Sequence, residues 1–329
     1  MQSKVDVSTP AGVSAPLPRL RGFDWRNYIV YVFFAVVFLF FAVTIGDKGF
    51  LSVPNLLNIT RSTAMIAVIA VAMTFVISSG ELDLSVGSIA ALSALTAALA
   101  MQAGFGLVGG VVAGIGSGLI VGLINGFFVT YVAIPSFLVT LGMMQFIRGL
   151  DMRLTYTNPV PVNDMTFNMI FGSGRVWGIP SLLIWSLVVV AIGHVVLRYT
   201  PFGRQVLATG GNRTAAAYSG IRTGRTKLIC FLISGGGAAL AGLLYTGMMS
   251  TARYNYGTGV ELAAIAAVIL GGTSLFGGKG TVIGTFVGAL LIGMINNGLI
   301  IMGLDVSEQN MVAGAIIILA VAFGRRPAR

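Results

Sequence analysis

An all-α integral membrane protein, with about ten transmembrane helices in two inverted five-helix repeats, is the fold the sequence predicts. Three observations point there. Hydrophobic residues make up 56% of the 329 and charged residues only 9%, whereas a soluble domain carries about a quarter charged residues to cover its surface. Apolar runs of spanning length recur from residue 28 to residue 324. The two halves of the chain also resemble one another at an offset of 172: Gly87 falls on Gly259, Leu119 and Ile120 on Leu291 and Ile292, and Asn125-Gly126 on Asn297-Gly298. A five-span unit is odd, so its second copy enters the membrane upside down.

A span needs about 20 mostly apolar residues. The first, 28–45, follows a polar segment, 1–27, that carries Lys4, Arg19, Arg21 and Arg26. No small-residue cleavage site follows it, so it is expected to stay as an uncleaved anchor behind a short tail. The next three are 58–79, 84–102 and 107–131. The fifth, 136–149, is short and is expected to be tilted or partial. The remaining five are 180–198, 227–250, 260–276, 281–302 and 309–324, with a tail at 325–329. The third, eighth and ninth are rich in Gly, Ala, Ser and Thr, the composition of helices that face protein rather than lipid.

Ten spans put both termini on one side. That side then receives fourteen of the 20 Lys and Arg and the other receives six, which places the termini in the cytoplasm by the positive-inside rule. The longest external loop is expected at 150–179, with Asp151 in it, and the longest internal loop at 199–226. The net charge of +10 sits in short segments between apolar runs. It therefore reads as loop charge facing lipid headgroups, and nucleic-acid binding is excluded because no soluble basic face is left to do it. The lone cysteine, Cys230, and lone histidine, His194, exclude an internal disulfide and ordinary Cys/His metal sites.

Three segments carry mechanism. In Glu81-Leu82-Asp83-Leu84-Ser85-Val86-Gly87, two carboxylates sit between two apolar runs. Asp83 with Ser85 reads either as a helix N-cap at the membrane face or as part of a broken helix that dips into the membrane and lines a path. In the basic loop, Asn212 is placed to cap a short helix, Ala215 to Ala217 favour it, and Gly220 is placed to end it. Such a helix lies outside the membrane with Tyr218 and Ile221 turned to a partner, whereas a plain positive-inside loop would need no cap. Gly277-Gly278-Lys279-Gly280-Thr281 invites a phosphate-loop reading that fails, because Thr273 stands where the first Gly belongs and Gly280 follows Lys279. It is a tight glycine turn, and the chain is expected to hold no ATP site of its own.

Weaker signals have two readings each. Asn125, Asn296 and Asn297 inside spans bond neighbouring helices or touch a solute. Glu261, beside Tyr254, Asn255 and Tyr256, marks a sugar-type site or an interfacial aromatic belt.

Taken together and in order, several segments resemble the permease subunits of bacterial carbohydrate-importing ABC transporters, the branch typified by ribose, xylose and related monosaccharide systems. They are Thr74-Phe75-Val76-Ile77 with Asp83-Leu84-Ser85-Val86-Gly87, Ile134-Pro135-Ser136-Phe137-Leu138-Val139-Thr140-Leu141-Gly142, Thr200-Pro201-Phe202-Gly203-Arg204 through Gly220-Ile221, and Leu270-Gly271-Gly272-Thr273 through Gly284-Thr285. The resemblance runs from about residue 50 to 324. It implies a multi-pass subunit of the bacterial inner membrane, paired with a second permease copy. It also implies cytoplasmic ATPase subunits that hold ATP and Mg, and a periplasmic binding protein that delivers sugar. On it, Asn212 to Gly220 correspond to the loop that docks on the ATPase, with Arg204, Asn212, Arg213, Ala215, Ala216, Tyr218, Ser219 and Gly220 as coupling residues. Glu81 departs from the family pattern, which has Gly there. Asp83, Ser85, Asn125, Tyr256, Glu261 and Asn297 are the candidates for the translocation path. An ion-coupled transporter or passive channel is the competing class. It would explain the repeat but not the capped basic loop, and Asp83 would be its one coupling candidate.

Overall fold

The computed structural model of the protein describes residues 29–323. The expected tails, 1–27 and 325–329, lie outside them. In chain order the helices are α1 (Ile29–Thr44), α2 (Val53–Ser78), α3 (Val86–Ala100), α4 (Gly106–Thr130), α5 (Ser136–Thr155), α6 (Met165–Asn168), α7 (Ser181–Tyr199), α8 (Pro201–Gly211), α9 (Arg213–Tyr218), α10 (Thr223–Met249), α11 (Val260–Leu270), α12 (Val282–Met302) and α13 (Val306–Phe323). Among the described residues, four two-residue strands form two small antiparallel pairs. β1 (Val160–Pro161) pairs with β4 (Thr251–Ala252), and β2 (Arg175–Val176) with β3 (Ile179–Pro180). The chain is thus a mostly helical membrane protein. Val53–Ser78, Val86–Thr130, Ser181–Tyr199, Thr223–Met249 and Val282–Met302 are long and apolar enough to cross a bilayer.

The run Val86–Thr130 doubles back on itself. Gly104 (φ +89°) and Gly106 (φ +64°) turn the chain at its middle, a backbone conformation that glycine adopts at no steric cost. The result is an antiparallel hairpin in which Gly114 faces Ser93 and Ala97, and the Ser117 hydroxyl bonds those of Ser93 and Thr96 at 3.2 and 3.0 Å. Small residues let the two backbones approach.

The centre of the bundle is α10, which packs against α2, α3 and α4. Its Gly235 faces Gly118 and Gly122, backbone to backbone. The main core joins Met73, Ile89, Leu95, Leu243, Val268 and their neighbours across α2, α3, α10 and α11. A second core seats α8 through Val206 against Phe75, Leu197 and Phe231, and a third binds α1 to α12 through Phe41, Ile45 and Leu291.

Several predicted boundaries change. The fifth helix is not short, since α5 runs on to Thr155. Asp151, expected in the external loop, is therefore on α5 and fully buried. Rising polarity after Gly149 ended the predicted span, but Asp151 and Thr155 face protein while Arg153 is exposed. The eighth predicted span, 260–276, stops at Leu270, because Gly271 and Gly272 (φ +89°) turn the chain. At 11 residues α11 is about 16 Å long, half a bilayer's hydrocarbon core. The basic loop holds two helices where one was expected. α8 starts at a Thr200 cap, whose Oγ1 accepts from the Gly203 N–H at 3.2 Å with Pro201 at its first turn.

Candidate functional site

Three constellations lie along the bundle, and the first is at the α8 end. α8 buries Gly203, Val206 and Thr209 against the bundle and leaves Arg204 exposed. Asn212 caps α9 as expected, its Oδ1 accepting from the Ala215 N–H at 3.0 Å. Ala216 turns inward, while Asn212, Arg213, Ala215, Tyr218, Ser219 and Gly220 are exposed, Tyr218 by 89%. Gly220 (φ +84°) ends the helix. The last turn of α8 rests on the bundle at Gly210, where a Cβ would lie 2.0 Å from the Ser78 carbonyl oxygen and 2.8 Å from the Gly278 nitrogen. Gly278 in turn donates its N–H to that same Ser78 oxygen at 3.0 Å. One glycine contact thus joins the α8–α9 pair to the end of α2 and to the turn between α11 and α12.

The second constellation is the break between α2 and α3. Here the capping expectation for Asp83 is corrected. α3 begins at Val86 with no side-chain cap, and the Asp83 carboxylate instead turns back on its own irregular segment. Its Oδ1 accepts from the Ser85 N–H at 3.0 Å and the Ser85 hydroxyl at 2.6 Å, and its Oδ2 accepts from the Ser234 hydroxyl at 2.7 Å. Asn125 donates to Ser85 Oγ at 2.9 Å. Asp83, Ser85 and Asn125 are all fully buried. Ser234 lies eleven residues past Thr223, the first residue of α10, or about 16 Å along it. The break therefore carries the chain well inside the bundle before α3 starts. Glu81, the family departure, makes an ion pair with Lys227 of α10. Leu82 donates its N–H to Ser136 Oγ at 3.2 Å.

The third constellation is the segment between α10 and α11, which dips back from the opposite end. Gly257 (φ +68°) lies against Gly87, so close that a Cβ on Gly87 would be 2.3 Å from the Gly257 oxygen. The N-termini of α3 and α11 therefore meet. Tyr256 is buried, its hydroxyl donates to the Thr251 carbonyl at 3.0 Å, and its ring stands edge-on to Tyr245 at 4.3 Å. Glu261 Oε1 accepts from the Gly259 N–H at 3.3 Å. Arg148 of α5 donates to the carbonyls of Tyr254 and Tyr256 at 2.7 and 2.9 Å.

Of the predicted path residues, Asp83, Ser85 and Asn125 are brought together, and Tyr256 and Glu261 lie in the third constellation. Asn297 stands apart, in a reciprocal amide pair with Asn55 at 2.9 and 3.1 Å. The sequence reading missed Gln145, Arg148 and Asp151, polar residues at three-residue spacing on α5. That spacing inside an otherwise apolar helix was the available signal.

Residues 55–321 match the model of a protein family described as branched-chain amino acid transport system / permease component. The chain is 42% identical over 297 residues to the ribose import permease protein RbsC of Bacillus subtilis, covering 89% of this chain and 92% of that one. It is 36% identical to the L-arabinose ABC transporter permease protein AraH of Azospirillum brasilense, over 98% of this chain and 95% of that one. It is 35% identical to the D-allose transport system permease protein AlsC of Escherichia coli, over 92% of each. No solved structure matches.

Proposed function

Because the chain belongs to this family of transport-system permease components, we propose that two copies of it enclose a sugar path which ATPase subunits open and close through α8 and α9. It is a monosaccharide ABC importer permease, a non-catalytic transport subunit, in line with relatives named for ribose, L-arabinose and D-allose. The observation that carries the reading is the likeness to sugar permeases along almost the whole chain. The sugar is of the ribose type, the one named for relatives 39 to 42% identical to this chain.

The finer parts have their own support. Ten spans in two inverted halves are supported by packing that repeats at the 172 offset. Gly114 meets Ala97 in the α3–α4 pair and Gly288 meets Ala267 in the α11–α12 pair, the same antiparallel register once the offset is removed. The contacts of α10 with α3 and α4 likewise have counterparts in those of α2 with α11 and α12. A second copy is supported by the polar outer face of this bundle. Gln145 and Gly149 of α5 and Asn255 and Thr258 beside it are exposed, and lipid cannot satisfy such groups. The charge count supports a cytoplasmic α8–α9 end and cytoplasmic termini in a bacterial inner membrane. The capped α9 with exposed Tyr218 fits a partner ATPase, which would hold ATP and Mg. The opposite end then receives a periplasmic sugar-binding protein.

The test is a gentle-detergent pull-down from the native membrane, with mass spectrometry of what accompanies the chain. A stoichiometric P-loop ATPase is expected. A clean oligomer without one, under conditions where a known ABC complex survives, overturns the reading.

A further inference from the structure

Arg148, Asp151 and Glu261 leave an imbalance that the fold alone does not require. Asp151 is fully buried, and neither of its carboxylate oxygens has a hydrogen-bond partner. Glu261 Oε2 is buried and without a partner as well. Yet no ion pair within 4.0 Å joins Arg148 to either carboxylate among the described residues. The guanidinium spends its Nη1 on two backbone carbonyls of the dipping segment instead, those of Tyr254 and Tyr256. Asp151 stands one helical turn further along α5, at the three-residue spacing that puts two side chains side by side. Buried carboxylates are normally paired, and an unpaired one is a place to look for a second state.

We propose that Arg148 is a latch on segment 253–259, and that Asp151 is the partner it takes when the segment is released. In the latched state the arginine pins the backbone beside the α3–α11 meeting point. In the released state it pairs with Asp151, and Tyr254 and Tyr256 are free to move. Arg148 is a positioning residue, acting through the segment rather than on the sugar. The inference rests on the proposed transport function and adds the gate at the end opposite α8.

The test uses the full complex in proteoliposomes, with Asn255, exposed on the segment, changed to Cys and its reaction with a soluble maleimide followed with and without ATP. Cys230 is buried, so its background is low. Arg148→Gln is expected to raise ATP-independent release of loaded ribose at least about tenfold, since two charge-assisted bonds are lost from one state. Arg148→Lys should restore most of the seal, because an ammonium also donates to two carbonyls. Asp151→Asn is expected to leave the complex assembled, to slow uptake, and to abolish the ATP-dependent change at Asn255→Cys. A merely structural Asp151 predicts the reverse: a more stable protein with unchanged uptake and unchanged maleimide response, and that result overturns the latch. Should the unvaried complex take up no ribose, the transport reading fails. The latch is still decided by whether Asp151→Asn alters the maleimide response.

Discussion

Gly210→Ala is the perturbation that isolates the joint between α8 and the bundle. The added methyl would sit 2.0 Å from the Ser78 oxygen, and ordinary contact begins at 3.4 Å. The end of α8 must therefore move by at least 1.4 Å, the difference between those two distances. The obstacle is backbone on both sides, Ser78 and Gly278, and no side chain can swing away. Overpacking of this kind costs about 1–3 kcal/mol. Against it stands the helix preference of Ala over Gly, about 0.5–1 kcal/mol. Gly211→Ala is the control. It lies on the same turn and gains the same preference, but its nearest neighbour is 3.7 Å away, an ordinary contact. The assay is ribose uptake and ATP hydrolysis measured on the same proteoliposomes, with thermal melting alongside. Gly210→Ala should lower sugar moved per ATP by about tenfold, the factor that 1.4 kcal/mol of lost coupling gives, while hydrolysis persists. Gly211→Ala should match the unvaried chain. Equal coupling in the two variants would refute the argument, because the contact that distinguishes them would then transmit nothing.

Three further outcomes are expected. Asp83→Ala strands the donors of Ser85 and Ser234 and should cost about 3 kcal/mol, whereas Asp83→Asn keeps one acceptor and should cost about 1 kcal/mol; melting in detergent orders the two, and equal losses would count against the network. Asn212→Ala removes the cap of a helix too short to stand alone, at about 1 kcal/mol, and Arg213→Glu reverses an exposed charge beside it; both should reduce ATPase co-purification while the chain stays folded. The N-terminus of α13 should fray in acid. Asp305 and Glu308 exchange side-chain-to-backbone bonds at 2.9 Å, and the Glu308 N–H holds the Asp305 carboxyl below its ordinary value. A lowered folded pKa means stability present above about pH 4, the unfolded value, and lost as pH falls below it. Amide protection at Glu308, corrected for the intrinsic pH dependence of exchange, should fall over that range, and a loss of protection confined to above pH 5 would contradict the sign.

The elements most legible in the sequence were those set by local chemistry. Asn212 with three alanines gave α9 and its cap, because capping needs only the next three residues. The glycine turn at 277–280 was equally plain. What stayed hidden depended on contacts distant in sequence. Asp83 looked like a cap because Ser234, 151 residues away, cannot be paired with it by pattern. Asn297 looked like a path residue because Asn55, its partner across 242 residues, is an unremarkable amide near a span end. α5 was cut short because its polar last turns look like loop when burial is unknown. The end of α11 was misplaced because Leu275 and Phe276 continue an apolar run that Gly271 and Gly272 have already turned.

Asp83, the one coupling candidate of the ion-driven reading, has a more economical account in the half-helices, and so does Glu261. α3 and α11 each begin inside the bundle, where Gly87 meets Gly257. A helix start leaves its first N–H groups without intrahelical partners and carries a partial positive charge. At a bilayer surface water answers both; inside the bundle protein groups are needed to answer them. Asp83 stands just before α3 and accepts a backbone N–H from the break. Glu261 stands in the first turn of α11 and accepts the N–H of Gly259. Each places carboxylate oxygens at the positive end of a half-helix, and that is sufficient reason for both to be present without an ion relay. Asp151 has no such role, since it lies in the last turns of α5 rather than the first. It is the one of the three that helix electrostatics leaves without a partner, and so the one on which a second state of the gate depends.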